Sequence, residues 1–130
     1  MPYRINLDNE SKVILVEIYD AIRLADILSF IAEIMEEPYL SLPYGVLADF
    51  RNASLTNVFY DDVTSIYQFL KANQEKVQPF NLAALASGKL EFGLNRTFEM
   101  MSDDSELPFR MLVTTNEEAA WRWAVGSAHP

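Results

Sequence analysis

A chain of 130 residues, half of them apolar and 12% aromatic, has the size and composition of one folded domain, which excludes a disordered segment. It has no cysteine, which excludes disulfides, thiol catalysis and thiolate metal sites and fits a cytoplasmic location. Nineteen acidic residues against ten scattered basic ones give a net charge of −9, which argues against nucleic acid and reads as a solubility feature, with a basic partner protein as the alternative.

Tyr3, Ile5 and Leu7 alternate with Arg4, Asn6 and Asp8, the period-two mark of a half-buried strand. This stretch lacks the apolar core of a signal peptide, and no apolar run approaches the ~18 residues of a membrane span. Asp8, Asn9, Glu10 and Ser11 are turn formers. The run VILVEIY at residues 13–19 is nearly continuous in apolar residues, as a strand covered on both faces is. An N-terminal hairpin is therefore expected. Leu24, Ile27, Leu28, Ile31, Ile34 and Met35 recur at helical spacing and predict a helix over residues 24–37. Asp26 suits its first turn, Pro38 should stop it, and Phe30 falls off its apolar face. Pro43 and Gly45 punctuate the approach to a buried strand over residues 45–50, GVLADF.

A polar loop is expected over residues 51–57, then a helix from residue 58 with Asn57 as N-cap and Asp61 and Asp62 in its early turns. Its buried stripe is Phe59, Val63, Ile66, Tyr67 and Leu70, with Tyr60 off the stripe. Pro79 precedes FNLAALA at residues 80–86, read as a strand ended by Ser87 and Gly88. A third helix follows over residues 90–101, with Leu90, Leu94, Phe98 and Met101 on one face and Phe92 off it. Ser102, Asp103, Asp104 and Ser105 read as a solvated acidic loop, and residues 109–113 as the last strand. Thr115 and Glu118 have capping-box spacing before a closing helix that Gly126 should end. Trp121 and Trp123 cannot share one helix face, so one should be partly exposed or in an interface. The order β-β-α-β-α-β-α-β-α predicts a single α/β domain over residues 1–130. Its sheet should have about five mostly parallel strands joined by right-handed crossovers, with about four helices.

Three segments carry a resemblance to a known family: VLADFRNAS (46–54), FGLNRTFEMM (92–101) and FRMLVTTNEEAAWRWAVG (109–126). They supply a hydrophobic strand ending in Asp-x-Arg, a helix with Gly-x-x-Arg-x-Phe, and a last strand followed by a helix in which Glu118 and Ala119 precede Trp121. In these the chain resembles the SpoIIAA-like fold shared by STAS domains, and more closely the stand-alone SpoIIAA-like (STAS/SEC14-type) small bacterial domains. The resemblance implies that fold over nearly the whole chain. Members of the group mostly lack an assigned activity. Anti-sigma-factor antagonists of the same fold carry an Asp-Ser-Ser-Gly-like loop at the start of the second helix, whose serine a partner kinase phosphorylates. Leu55, Thr56, Asn57, Val58 and Phe59 stand there in this chain, without that serine or glycine. The phospho-switch is therefore not implied, and partner binding carries over only as analogy.

No catalytic set assembles from the sequence. The single histidine, His129, is penultimate, and no base is available to activate a serine. The acidic pairs match neither a calcium loop nor a His-containing site, so no metal or cofactor is expected. Ser87, Gly88 and Lys89 read either as a plain strand-to-helix turn or as an anion site. Asp49 and Arg51, with Arg96 approaching the same sheet edge, read either as a structural ion pair or as an anion or partner contact. The expected function is that of a non-catalytic regulatory or interaction module binding through residues 51–61. Its expected site residues are Asp49, Arg51, Asn52, Ser54, Thr56, Asn57, Tyr60 and Arg96, and its partner is a protein, either another chain or a second copy in a homodimer. The alternative is a small apolar or lipid-like ligand in a groove between helices, which requires an apolar pocket of about 300 Å3 or more.

Overall fold

The structure is a computed structural model and describes residues 2–36, 44–77, 79–103 and 107–126. Strand β1 (Tyr3–Asp8) pairs antiparallel with β2 (Val13–Ala21), Tyr3 opposite Ile18 and Asp8 opposite Val13. The side chain of Asp8 makes the turn, its Oδ1 accepting the amides of Glu10 at 3.1 Å and Ser11 at 3.2 Å. Lys12 then takes a left-handed φ of 61°, and its amide donates to the Asp8 carbonyl at 3.0 Å.

The remaining elements alternate: α1 (Leu24–Ile34), β3 (Gly45–Ser54), α2 (Tyr60–Ala72), a 3-10 turn (Gln74–Lys76), β4 (Phe80–Leu85), α3 (Lys89–Asp103), β5 (Phe109–Thr114) and α4 (Glu117–Val125). The sheet order is β1-β2-β3-β4-β5, with β2 through β5 parallel. The expected five strands, N-terminal hairpin and four helices are all present. The end assigned to α1 at Glu37 and Pro38, the punctuating Pro43, the acidic-loop residues Asp104 and Ser105, and His129 lie outside the described residues. Ser102 and Asp103, expected in that loop, are the last residues of α3.

Strand alternation sorts side chains between two layers. Ile14, Val16, Ile18, Val46, Ala48, Phe50, Ala84, Phe109 and Val113 share a large core with residues of α1, α2 and α3. Val13, Leu47, Ala83 and Leu85 face the other way and pack against Ala120 and Ala124 of α4, whose small side chains let the helix lie close to the strands. This second layer covers the start of β2 but not its whole length. Farther along the same face Glu17 is half-buried, and its Oε1 accepts from Arg4 Nη2 at 3.1 Å and Asn6 Nδ2 at 3.0 Å.

Two helical stripes differ from the sequence pattern. Phe30 is 6% exposed, because the hairpin extends the sheet beneath α1 and Tyr3 meets the Phe30 ring edge-on at 5.5 Å. Tyr3 Oη also bonds Ser29 Oγ at 2.9 Å. In α3 the buried residues are Asn95, Phe98, Glu99 and Ser102, whereas Leu90 is 43% exposed. The inner face of this helix is partly polar because it lies over β5, the last strand of the sheet. There Glu99 Oε2 accepts the Val113 amide at 3.0 Å, serving an edge strand with a side chain.

Candidate functional site

The stretch expected to be a loop at residues 51–57 is largely strand. β2 continues past a bulge between Glu17 and Tyr19, and its last residues pair with the end of β3: Tyr19 with Asn52, Asp20 with Ala53, Ala21 with Ser54. The Ile22 amide closes this extension on the Ser54 carbonyl at 3.2 Å. What is left between β3 and α2 is residues 55–59.

Two apolar anchors hold that short loop. Leu55 is 3% exposed, and its amide donates to Glu91 Oε2 of α3 at 2.9 Å. Val58 is 5% exposed and sits just before the helix cap, while Val63 occupies the fourth helical position; both lie in the same core, the arrangement of a hydrophobic staple. Between the anchors Thr56 and Asn57 are exposed, and Ser54 Oγ bonds Thr56 Oγ1 at 3.1 Å. The helix therefore starts later than expected. Its N-cap is Phe59, not Asn57, and Asp62 Oδ2 accepts the Phe59 amide at 2.8 Å. With Val58 turned inward, Phe59 leaves the buried stripe to which the spacing assigns it. Phe59 and Tyr60 are each 64% exposed. Leu90, at the start of the helix that supplies Glu91, is exposed as well.

The turn at Ser87, Gly88 and Lys89 is filled by the chain's own carboxylate. The Glu91 side chain lies where a Cβ on residue 88 would stand, in the first turn of α3, where the helix dipole favours negative charge.

Asp49 and Arg51 are two apart on β3 and so project from the same face of the sheet, the one that carries α4. Asp49 accepts from the Arg51 amide at 3.0 Å, from Nε at 3.0 Å and from Nη2 at 2.8 Å, a bidentate pair with a third bond. Glu117 at the start of α4 lies 3.4 Å from Arg51 Nη2. The hydrogen bond to Asp49 is the main reason the guanidinium pKa is raised above its ordinary value; partial burial opposes it, and the nearby charges of Asp49 and Glu117 add to it. Arg96 does not join this group. It lies on α3, on the opposite face of the sheet, and pairs with Glu99. The expected site is thus divided: Asn52, Ser54, Thr56, Asn57 and Tyr60 lie along the strand end and helix start, Asp49 and Arg51 engage each other, and Arg96 is elsewhere. The one exposed aromatic that sequence spacing misplaces is Phe59; the signal for it was Asp62, three residues on, where a capping carboxylate belongs.

A cavity of about 160 Å3 lies between the helical layer and the sheet, lined by residues such as Phe30, Ala48, Ile66, Ala84 and Phe98. It is smaller than the pocket of about 300 Å3 that a drug-sized ligand occupies. Among the described residues no group of three or more His, Cys, Asp or Glu is placed to hold a metal ion, and no helix is long and apolar enough to cross a membrane.

No family model matches the chain, and no curated protein does. Among solved structures it is similar to an uncharacterized protein of the DUF3478 family from Shewanella loihica PV-4, described as having a SpoIIAA-like fold. The two share 9% identity with a TM-score of 0.57, over 94% of this chain and 91% of that one. Identity this low speaks to architecture alone. With that likeness extending over almost the full length of both chains, this chain has a SpoIIAA-like fold.

Proposed function

We propose that the protein is a non-catalytic interaction module, of the regulatory kind, that binds a partner protein through the loop at residues 55–59 and the start of α2. The observation that carries this reading is Phe59. A helix N-cap favours Ser, Thr, Asp or Asn, and a residue without a side-chain acceptor there forgoes about 1 kcal/mol. At Phe59 the chain places a side chain that makes no cap bond and keeps its ring in water beside the equally exposed Tyr60. Local rules broken in this way, without a gain in packing, mark functional positions. Adjacent exposed aromatics are also the residue type that anchors protein interfaces.

The partner is a different protein with a basic rim. Exposed Asp61 borders the aromatic pair, and two copies carrying −9 each would bring like charges together at this patch. Thr56, Asn57 and the Ser54–Thr56 hydroxyl pair supply hydrogen-bonding groups at the border, while the Asp49–Arg51 pair stiffens the strand beneath.

The test is the double variant Phe59→Ser, Tyr60→Ala, used with the wild-type chain as bait in extract of the source organism. Serine is a better cap than phenylalanine, so the variant should melt no lower than wild type while losing the partner that wild type captures. A variant that keeps every wild-type partner, or a wild-type chain that captures none, refutes the reading.

A further inference from the structure

The cavity between the sheet and the three-helix layer has one feature that a simple packing gap lacks. Gln74, in the 3-10 turn after α2, is among its lining residues, and Gln74 Oε1 is shielded from solvent with no hydrogen-bond partner among the described residues. Buried amide oxygens are normally satisfied, since an unsatisfied one loses the water it bonds in the unfolded chain. Among the described residues no other one in the lining has a buried side-chain oxygen or nitrogen in that condition. Asn95, also in the lining, donates its Nδ2 to the Glu91 carbonyl at 2.8 Å. Nearly all the remaining lining is hydrocarbon or aromatic, and it reaches the surface at exposed Pro79.

Size and chemistry together narrow the occupant. A volume of about 160 Å3 is close to the ~150 Å3 apolar cavity that takes up benzene, and far short of what a lipid needs. Water is a poor occupant, because an ordered water needs two to four polar partners. A purely apolar molecule fills the space but leaves the amide oxygen unpaired. We propose that this cavity binds single-ring apolar molecules carrying one hydrogen-bond donor, the phenol class, with the ring against the apolar lining and the donor on Gln74 Oε1. Leu55 and Val58, the buried anchors of the loop, line one end of this cavity, but its polar end is remote from the exposed aromatic pair: α2 is 13 residues long, so Gln74 and Phe59 stand roughly 20 Å apart.

Phenol and toluene are the probes, being alike in size and differing in the donor. Each is titrated into isotope-labelled protein and followed by NMR. Both should shift the amides of lining residues saturably, and only phenol should move the side-chain amide resonances of Gln74. In Gln74→Leu, phenol should bind at least about tenfold more weakly while toluene binds as well or better, a selectivity change of the size a lost buried hydrogen bond gives. Phe59→Ser should leave both affinities unchanged, which separates this site from the interaction surface. The inference is overturned if neither probe shifts the lining. It is equally overturned if phenol binds without moving the Gln74 resonances, a readout that stands even if Gln74→Leu does not fold.

Discussion

Glu99 is 6% exposed, and a carboxylate so placed needs donors close by. The Val113 amide donates to Oε2, and the guanidinium of Arg96, one helical turn away, pairs with the carboxylate as its counter-ion. The helix thereby uses a charged residue to finish an edge strand. Replacing Glu99 with leucine removes the acceptor and leaves a buried amide unmatched. A hydrogen bond to a charged group is worth about 1.5–3 kcal/mol, so Glu99→Leu should lower stability by about 2 kcal/mol. Glu99→Gln keeps an acceptor and should cost about half as much. Urea unfolding checks this as a fall in midpoint with the slope unchanged. Legibility at this scale followed sequence distance. Asp49 and Arg51 could be read as a pair because they are opposite in charge and two residues apart at a strand end; the longer strand of the structure then puts both on one face. Glu117, which completes that group from 66 residues away, and Glu99, an acid on the inner side of a helix, could not. Both depend on which elements the fold brings together. Arg96, expected to approach the sheet edge of Asp49 and Arg51, pairs with Glu99 on its own helix instead.

The existence of each strand and helix was legible, because apolar residues alternate in β1, form short continuous runs in the buried strands and recur near every 3.6 residues in the helices. Element ends were not. β3 runs on to Ser54 only because β2 lengthens past a bulge to meet it, and nothing local in Arg51, Asn52, Ala53 and Ser54 announces a strand. Helix starts were misplaced where two residues compete to cap. At α4, Thr115 and Asn116 are both suitable, and the geometry chooses Asn116, whose Oδ1 accepts the Ala119 amide at 2.8 Å while Thr114 Oγ1 accepts the Asn116 amide at 3.0 Å. The capping box assigned to Thr115 and Glu118 is therefore replaced by this arrangement. Asn116→Ala should cost about 1 kcal/mol and Asn116→Asp almost nothing, whereas Thr115→Ala should stay within about 0.5 kcal/mol. Thermal melts of the three variants decide between the two caps. At α2 the decision goes against the better capping residue: Asn57 is passed over because Leu55 and Val58 must both be buried, and a cap at 57 would turn Val58 into the first turn of the helix.

The largest property the sequence concealed belongs to the whole molecule. Periodicity says which side chains face inward, but not how closely two layers can approach once all of them are there. Ala48 and Ala84 stand side by side in the middle of the sheet, under helices whose positions are set by Phe30, Ile66 and Phe98. Small residues beneath, and bulky ones holding the helices off, leave the space that appears as the cavity. If that account holds, lengthening one of these alanines should fill space that is already there. Ala84→Val adds two carbons in a β-branched form suited to a strand. At about 0.8 kcal/mol per buried carbon, less some loss to imperfect fit, it should stabilise the fold by about 1 kcal/mol. The same change should weaken phenol binding, because the added methyl groups take up volume the ring would use. Stability and affinity thus move in opposite directions with one substitution, and a single set of melts with and without phenol measures both. A variant destabilised by overpacking, by about 1–3 kcal/mol, would show that the residue-84 side of the cavity is closed and that the helices rest directly on the sheet there.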